Sequence, residues 1–313
     1  MREHLKPRAR PVTLNARLRT RCHLSSLVGL FFLVAASPAV AEGGYVGQAV
    51  CLECHEDEVG AFMKTPHAHV LNERNARSPL MARGCESCHG PGAEHVEEEG
   101  TGGKLINFSD DSRELIEEGK AACLSCHERG ARVHWEGSPH DSRDIACTSC
   151  HTIMKKVSPR NQLSQPSELE LCGSCHPVRR AQMFRNAHMP VREGAMSCSS
   201  CHSVHGSVTE SLVSHDSIND NCYGCHAEKR GPFLWEHPPV NENCLDCHDP
   251  HGSTRARMLR LNPPRLCQQC HIETRHPTEA RLPQNKFVIG RACLNCHVNI
   301  HGSNHPSGFG FTR

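Results

Sequence analysis

Ten five-residue motifs of the form Cys-x-x-Cys-His carry most of the chemistry available to this 313-residue chain. On a helical turn, positions i, i+3 and i+4 share one face, so the two thiols and the imidazole of a motif point the same way. This is the attachment sequence of c-type haem. The thiols bond two vinyl groups at one haem edge, and the histidine binds the iron as its proximal ligand. The motifs therefore predict ten covalently bound haem c groups.

The motifs, numbered 1 to 10 along the chain, begin 34 and 38 residues apart at first and then 22–26 residues apart. Such a nearly constant interval indicates a repeat array. The predicted haem-bonding cysteines are Cys51, Cys54, Cys85, Cys88, Cys123, Cys126, Cys147, Cys150, Cys172, Cys175, Cys198, Cys201, Cys222, Cys225, Cys244, Cys247, Cys267, Cys270, Cys293 and Cys296. The predicted proximal ligands are His55, His89, His127, His151, His176, His202, His226, His248, His271 and His297.

Zinc sites and dithiol redox sites also use Cys-x-x-Cys pairs. Ten copies that all continue with histidine favour haem over both alternatives. Twenty of the 21 cysteines belong to the motifs, and the remaining one, Cys22, lies in a segment that we expect to be removed. No cysteine is then left over for a disulfide bond.

The apolar side chains are too few for an ordinary core. Hydrophobic residues make up 37% of the chain with cysteines included and roughly 30% without them, and aromatic residues make up 4%; ordinary domains reach about 45–50% with glycine counted. Such a polypeptide cannot bury enough surface to offset its ordering entropy, so we expect the haems to form the core. The predicted fold class is a multihaem cytochrome c, mostly irregular with short α-helices and almost no β-structure, organised by haem into an elongated wire.

The first 41 residues have the features of a cleaved secretory signal peptide. Seven basic residues precede an apolar run over residues 27–36, and Ala39-Val40-Ala41 precedes the expected mature start at Glu42. An uncleaved membrane anchor is the alternative, but ten apolar residues are fewer than the ~20 needed to span a bilayer. We therefore expect a periplasmic protein. The mature chain carries 28 basic and 33 acidic residues, which argues against a nucleic-acid partner.

Few secondary-structure elements are predicted between the motifs. Ser167 to Glu170 has the pattern of a capping box running into Cys172, and residues 111–120 read as a helix leading into Cys123. The dipeptide Trp-Glu precedes motif 4 and again motif 8, at Trp135 and Trp235. We interpret these tryptophans as haem-packing residues.

The predicted mature chain holds thirteen further histidines, enough to give every iron a distal histidine. Three of them compete with the preferred set: His69 with its neighbour His67, His305 with His301, and His215, which precedes motif 7 by the same seven residues as His140 precedes motif 4. The preferred distal ligands are His67, His95, His134, His140, His188, His205, His237, His251, His276 and His301.

Methionine ligation, which raises the haem potential, is the competing chemistry. The spacing of the available methionines relative to the motifs shows no rule in the sequence: Met63, Met81, Met154, Met183, Met189, Met196 and Met258. Iron held by two histidines has no open coordination position, which favours electron transfer over catalysis.

Three sequence blocks resemble the DmsE/MtrA family of periplasmic decahaem c-type cytochromes: residues 85–92 (CESCHGPG), 227–237 (AEKRGPFLWEH) and 301–308 (HGSNHPSG). The resemblance extends over essentially the whole mature chain. It implies a haem wire of two pentahaem halves, here residues 42–190 with haems 1–5 and residues 191–313 with haems 6–10. It also implies a location inside an outer-membrane β-barrel protein, between a periplasmic or inner-membrane quinol-linked cytochrome and a cell-surface multihaem cytochrome.

The resemblance also implies a histidine soon after motif 4, and here the chain departs from it. His151 is followed by Thr-Ile-Met-Lys-Lys at residues 152–156. One histidine ligand that the family supplies in this region is therefore missing from its expected place.

Three functions fit these features. The first is an electron conduit through a barrel, which joins periplasmic carriers to extracellular metal oxides, iron or dimethyl sulfoxide. Polar loops cannot face lipid, so a wire that crosses the membrane must be sheathed by a partner. The second is a freely diffusing periplasmic electron carrier. The third is a multihaem enzyme, which needs an open iron or a tyrosine cross-link; all ten motifs end in histidine, and only Tyr45 and Tyr223 are present.

Overall fold

The computed structural model describes residues 43–109, 111–187, 191–271 and 293–312. All the described residues belong to one compact unit. Three features predicted from the sequence lie outside the described residues: the signal peptide, and the distal-ligand candidates His188 and His276.

Short helices joined by irregular segments make up the described chain, as the sequence predicts. The α-helices are Gln48–Cys51, Glu56–Phe62, Pro66–Val70, Pro79–Ala82, Glu86–His89, Ala93–Glu97, Arg113–His127, Cys147–Cys150, Glu168–Cys175, Pro177–Gln182, Ile218–Tyr223 and Pro238–Glu242. The 3-10 segments are Gly130–Arg132, Asp141–Arg143, Cys198–Ser200, Glu210–Leu212, Ala227–Lys229, Cys244–Asp246, Ala256–Met258, Cys267–Gln269 and Cys293–Asn295. Pairing between extended segments, within the described ranges, is limited to isolated bridges.

Each motif closes one helical turn, which is the geometry that haem attachment requires. In motif 7, for example, the backbone N–H of His226 donates to the carbonyl of Cys222 at 2.8 Å, and in motif 4 that of His151 donates to Cys147 at 2.9 Å. The bond joins positions i+4 and i, so the two cysteines and the histidine of a motif share one face.

The two helices predicted between motifs are both present. Ser167 accepts a hydrogen bond from the Glu170 N–H at 3.2 Å, and the helix Glu168–Cys175 runs into motif 5. The predicted helix over residues 111–120 begins at Arg113 and continues through motif 3 to His127. The extension is physically reasonable because the motif itself is helical and the sequence between contains no proline.

Motifs 4, 6 and 8 share a local structure that the sequence pattern does not predict. The chain returns to each motif histidine through an antiparallel bridge, His151 with Leu163, His202 with Val213 and His248 with Leu259. Each return is made by two consecutive residues with left-handed backbone, although neither is glycine: Asn161 and Gln162, Ser211 and Leu212, Arg257 and Met258. Left-handed backbone at such residues costs free energy. At each of the three motifs, the hydrogen bonds of the bridge help to offset this cost.

The buried apolar core of the described chain is small. Its buried hydrophobic residues are Phe62, Ala68, Leu71, Trp135, Leu163 and Val213, and no large side chain among them is fully buried. None of the described helices is both long and apolar enough to cross a membrane.

Contacts cross the predicted boundary between the two pentahaem halves. The carboxylate of Glu168 accepts from the Ser199 N–H at 2.8 Å and from its hydroxyl at 2.7 Å. The backbones of Asn186 and Ser253 exchange two hydrogen bonds of 2.9 and 3.0 Å. The division into halves stays a prediction.

A half-hidden ion pair fastens the longest helix to the segment before motif 4. Lys120 Nζ lies 2.6 Å from Asp141 Oδ1, and the two side chains are 14% and 12% exposed. Burial alone would raise the pKa of Asp141, but the hydrogen bonds from Lys120 and from the Gly137 N–H outweigh it, so this pKa lies below its ordinary value.

We expect Asp141→Asn to lower the free energy of unfolding by about 2 kcal/mol near neutral pH, because the ammonium of Lys120 loses a charged partner. A carboxyl whose pKa is depressed in the folded state stabilises it above the ordinary pKa of about 3.9 and loses this effect as pH falls through the folded value. The difference between variant and wild type should therefore shrink at acidic pH. Asp144→Asn is the control: its pair with Arg113 spans 3.4 Å and is largely exposed, so its loss should cost at most about 1 kcal/mol. Equal effects of the two variants in denaturant titrations would contradict this assignment.

Candidate haem-ligating sites

Seven motif histidines lie opposite a second histidine from outside the motifs. Their ring centroids are 5.9–6.4 Å apart. The pairs, motif histidine first, are His55 with His95, His127 with His67, His151 with His205, His176 with His140, His202 with His251, His248 with His301 and His271 with His237.

This separation is the one that a single metal ion between two imidazoles requires. A metal–imidazole bond of roughly 2.0–2.1 Å on each side, together with half a ring on each side, gives roughly 6 Å between the centroids. In five of the pairs the ring planes lie within 20° of parallel. The planes cross at 61° for His67 and His127 and at 69° for His140 and His176.

Backbone carbonyls fix which ring nitrogen of several motif histidines faces the haem. Nδ1 of His89 lies 3.0 Å from the Ile106 oxygen, and Nδ1 of His151 lies 2.8 Å from the Asn161 oxygen. His202, His248 and His297 make the same bond to Ser211, Arg257 and Gly310. A carbonyl only accepts, so Nδ1 carries the proton and Nε2 is left free to bind iron.

Two of the opposing histidines are oriented in the same way. Nδ1 of His95 donates to the Gly102 carbonyl at 2.9 Å, and Nδ1 of His140 donates to the Val204 carbonyl at 3.0 Å. Burial also lowers the pKa of His205, His251 and His301. Burial of His205, His251 and His301 thus favours their neutral form, which is the ligating form of imidazole.

The pairing interlocks motifs that are not adjacent in sequence. Motifs 4, 6 and 8 each pair with a histidine that lies just beyond the second motif downstream. That partner stands three or four residues after the downstream motif's own histidine: His205 after His202 for motif 4, His251 after His248 for motif 6, and His301 after His297 for motif 8. Motifs 3, 5 and 9 instead pair with histidines that precede them by 34–60 residues.

A glycine after each of the three downstream partners allows the chain to approach another segment closely. Gly206, Gly252 and Gly302 directly follow these histidines, with φ between +118° and +128°. A Cβ on Gly206 would lie 1.8 Å from the carbonyl oxygen of His134, and one on Gly252 would lie 2.1 Å from that of Gln182. Only glycine permits this close approach.

Four candidate histidines are not brought opposite a motif histidine in the described chain. His69 and His134 are exposed, and the backbone of His134 instead packs against Gly206. Nδ1 of His215 is hydrogen-bonded to Oδ1 of Asn221 at 3.0 Å, and Nδ1 of His305 accepts a hydrogen bond from the Ser307 N–H at 3.1 Å. Both histidines therefore have local structural roles. His134 was among the preferred ligands; His188 and His276 lie outside the described residues.

The motif cysteines all carry free thiols and place the motifs in spatial order. The thiols of the first cysteines interact with one another within the motif pairs 1–2, 3–4, 5–6, 7–8 and 9–10, as Cys123 does with Cys147. Second cysteines lie near the next motif across 2–3, 4–5, 6–7 and 8–9, as Cys150 does near Cys175. The motifs therefore follow one another in space as they do in sequence. Interaction with the neighbouring Cys123 thiol lowers the pKa of the Cys147 thiol to about 7.

Two buried hydrogen-bond donors indicate a site for an acceptor group beside the histidine pairs. The indole N–H groups of Trp135 and Trp235 are buried without a hydrogen-bond partner. Trp135 packs on His205 with centroids 6.2 Å apart, and Trp235 bonds through its backbone to Ser303, two residues after His301. Buried polar groups are normally satisfied, and haem carries both apolar faces and carboxylates. The histidine pairs, free thiols and unpaired donors together fit haem.

The structure predicts different outcomes for two neighbouring histidines. His67 lies opposite His127 at 5.9 Å, whereas His69 is exposed and faces no motif histidine among the described residues. We expect His67→Ala to convert one iron from low spin to high spin, as seen by electron paramagnetic resonance, and His69→Ala to leave the spectrum unchanged. The reverse pattern would show that His69 is the ligand.

Known proteins share the Cys-x-x-Cys-His motifs of this chain. A family model described as a doubled CXXCH motif matches residues 188–231 and 237–276, and a model of NrfB-like cytochrome c-type proteins matches residues 85–175. The chain is 43% identical over 281 residues to the multiheme cytochrome MtrA of Shewanella baltica, covering 86% of this chain and 82% of that protein. It is 29% identical over 147 residues to the cytochrome c-type protein NrfB of Escherichia coli O6:H1, covering 46% and 73%.

Proposed function

The chain belongs to the MtrA family of multihaem c-type cytochromes, and on that basis we propose that it is a decahaem electron conduit. The coarser statement follows from the family: this is an electron-transfer cytochrome that holds haem c covalently through Cys-x-x-Cys-His motifs. The proposal adds that all ten motifs are occupied and that electrons pass along them from one end of the chain to the other.

The order of the motifs is the observation that carries the proposal. Each of motifs 2 to 9 lies close to the motif before it and the motif after it through cysteine side chains, as motif 5 does through Cys175 and Cys172. A haem bonded to those cysteines would be held near the same contact. Electrons can then move by short steps, with no step requiring a longer jump.

At the seven paired sites, two histidines of the chain would give the iron a fixed coordination. The haem supplies an iron that takes up and releases one electron when bound. The chain supplies the two imidazoles, and carbonyls such as those of Asn161 and Ser211 hold them in one orientation. A site that is already filled on both sides changes little when the electron arrives, which favours rapid transfer over substrate chemistry.

The setting of the conduit follows from the sequence. The predicted signal peptide directs the chain to the periplasm. We propose that an outer-membrane β-barrel protein sheathes it, because its many polar loops cannot contact lipid. A periplasmic or inner-membrane quinol-linked cytochrome would exchange electrons at one end and a cell-surface multihaem cytochrome at the other. The proposal leaves the direction of electron flow open.

A liposome assay tests this proposal. A reduced dye is enclosed in liposomes, and a solid oxidant is placed outside. Protein added alone should leave the dye reduced, whereas protein reconstituted with a barrel encoded beside it should oxidise the dye. Equal oxidation without the barrel would contradict the conduit. Failure with the barrel present would favour a freely diffusing periplasmic carrier, which should still exchange electrons with soluble cytochromes.

A further inference from the structure

Motif 2 differs from the seven motifs that pair with a second histidine. Among the described residues, no imidazole lies opposite the ring of His89. Its ring contacts the edge of Phe108 instead, with centroids 5.3 Å apart and planes at 87°. Nδ1 of His89 nevertheless donates to the Ile106 carbonyl at 3.0 Å, like its counterparts in motifs 4, 6 and 8. The proximal side of motif 2 is therefore prepared for iron in the same way.

The interlocking rule identifies the residue that should fill the distal side. Motifs 4, 6 and 8 receive their partner from three or four residues beyond the histidine of the motif two places downstream. For motif 2, the supplying segment is the one after motif 4. Three residues beyond His151 stands Met154, at the spacing from the motif histidine that His205 and His251 have in their own segments.

The structure independently places this segment beside motif 2. Ile153 and Cys88, the second cysteine of motif 2, pack against one apolar cluster formed by Phe62, Ala68 and Leu71. The residue next to Met154 and the haem-bonding cysteine of motif 2 thus share a packing site. The two residues are brought together by folding, because 66 residues separate Cys88 from Met154 in the sequence.

Gln162 fixes the position of this segment. Its side-chain amide donates to the carbonyls of Thr152 and Ile153 at 3.1 and 3.4 Å. Its carbonyl oxygen lies 2.8 Å from Nδ1 of His67, the partner of His127 in motif 3. The Met154 side chain itself is 41% exposed, although it is apolar. A thioether held at this place, and not packed into the protein, is available to a metal.

We propose that the Met154 thioether, not an imidazole, is the distal iron ligand of motif 2. The proposal rests on haem occupying motif 2, as the proposed function requires, and it replaces the expectation that every iron has two histidines. Sulfur from methionine raises the potential of a haem relative to a second histidine. Motif 2 would then be the most oxidising site of the chain, one position from its amino-terminal end.

Two other groups near motif 2 could compete for this role. Met81 packs against the same apolar cluster as Cys88 and precedes motif 2 by four residues. Lys156 lies two residues beyond Met154, but its ammonium is strongly hydrated and must lose a proton before it can bind iron. Both alternatives are distinguishable from Met154 by substitution.

The test is near-infrared magnetic circular dichroism of the oxidised, fully haem-loaded protein, which separates charge-transfer bands by axial ligand. Wild-type protein should show one methionine–iron component among otherwise bis-histidine sites. Met154→Ala should abolish that component and produce one high-spin iron. Met154→His should abolish it without any high-spin signal, and a redox titration should show loss of the single most positive component.

Two matched methionine variants serve as controls. Met63→Ala removes another exposed methionine, next to motif 1, and should leave the spectrum unchanged. Met81→Ala should also leave it unchanged. The proposal is overturned by a methionine band that survives in Met154→Ala, by its loss in Met81→Ala, or by a wild-type spectrum with only bis-histidine, lysine-ligated or high-spin sites.

Peptide mapping keeps this result separate from the conduit proposal. The peptide containing Cys85 and Cys88 should carry one haem mass in every variant. A peptide without haem would overturn the ligand assignment. A methionine band together with failure of the liposome assay would instead contradict the conduit and leave the ligand assignment standing.

Discussion

Produced without haem, this polypeptide should be unfolded. The described chain buries only a few apolar side chains, chiefly Phe62, Leu71, Trp135, Leu163 and Val213, and these are distributed over separate segments. The longest helix has 15 residues, and most of the others have four to eight. Isolated helices of that length are marginal in water. Attached haem supplies both the missing apolar surface and the links between distant histidines, so folding and haem binding should be coupled.

The comparison requires one polypeptide made in two ways. Residues 42–313 produced in the cytoplasm, where haem is not attached, should lack helical circular dichroism and should be digested rapidly by protease. The same residues exported into cells with haem-attachment enzymes should resist digestion. A protease-resistant apoprotein with native helix content would show that the polypeptide contains a sufficient core of its own.

Removing one central haem should reduce end-to-end electron transfer by orders of magnitude. Motif 5 meets motif 4 through Cys175 and motif 6 through Cys172. Replacing both cysteines by alanine deletes the attachment of this haem and leaves a gap between its neighbours. Because tunnelling decays exponentially with distance, the remaining nine haems cannot compensate.

Removing the haem of motif 10 is the control, through Cys293→Ala and Cys296→Ala. This haem lies at one end of the series, so transfer from the other end to a small soluble acceptor should persist. Both variants should retain nine haems by mass and similar helix content, which excludes a folding defect as the cause. Undiminished conduction in the motif 5 variant would show that the order of contacts does not set the path.

The sequence was sufficient for the local features of the sites. The helical turn of each motif and the capping box at Ser167 follow from neighbours within four residues, and both are present. The list of distal-ligand candidates was also informative, since seven of its ten histidines lie opposite a motif histidine. Their assignment as iron ligands stays a prediction.

The pairing itself could not be read from the sequence. His205 faces His151, although 54 residues separate them in the sequence. Their relative position depends on the bridge between His151 and Leu163 and on the close approach of Gly206 to His134. These are contacts between distant parts of the chain. The left-handed pair Arg257 and Met258 also lacks the usual glycine signal. For the same reason, the sequence alone does not single out Met154 among the methionines. It is singled out by the pairing of motifs 4, 6 and 8 with histidines beyond the second motif downstream.

The interlocking of alternate motifs also bears on biogenesis. During amino-terminus-first synthesis and export, motifs 3, 5 and 9 find their partner histidines already translocated, and each can close as soon as its haem is attached. Motifs 4, 6 and 8 must wait for His205, His251 and His301, which emerge only after two further motifs. A nascent chain therefore carries motifs 4, 6 and 8 without their partner histidines until two further motifs have been exported. Carbon monoxide or nitric oxide present during export should therefore be captured at motifs 4, 6 and 8 while their partner histidines are still missing.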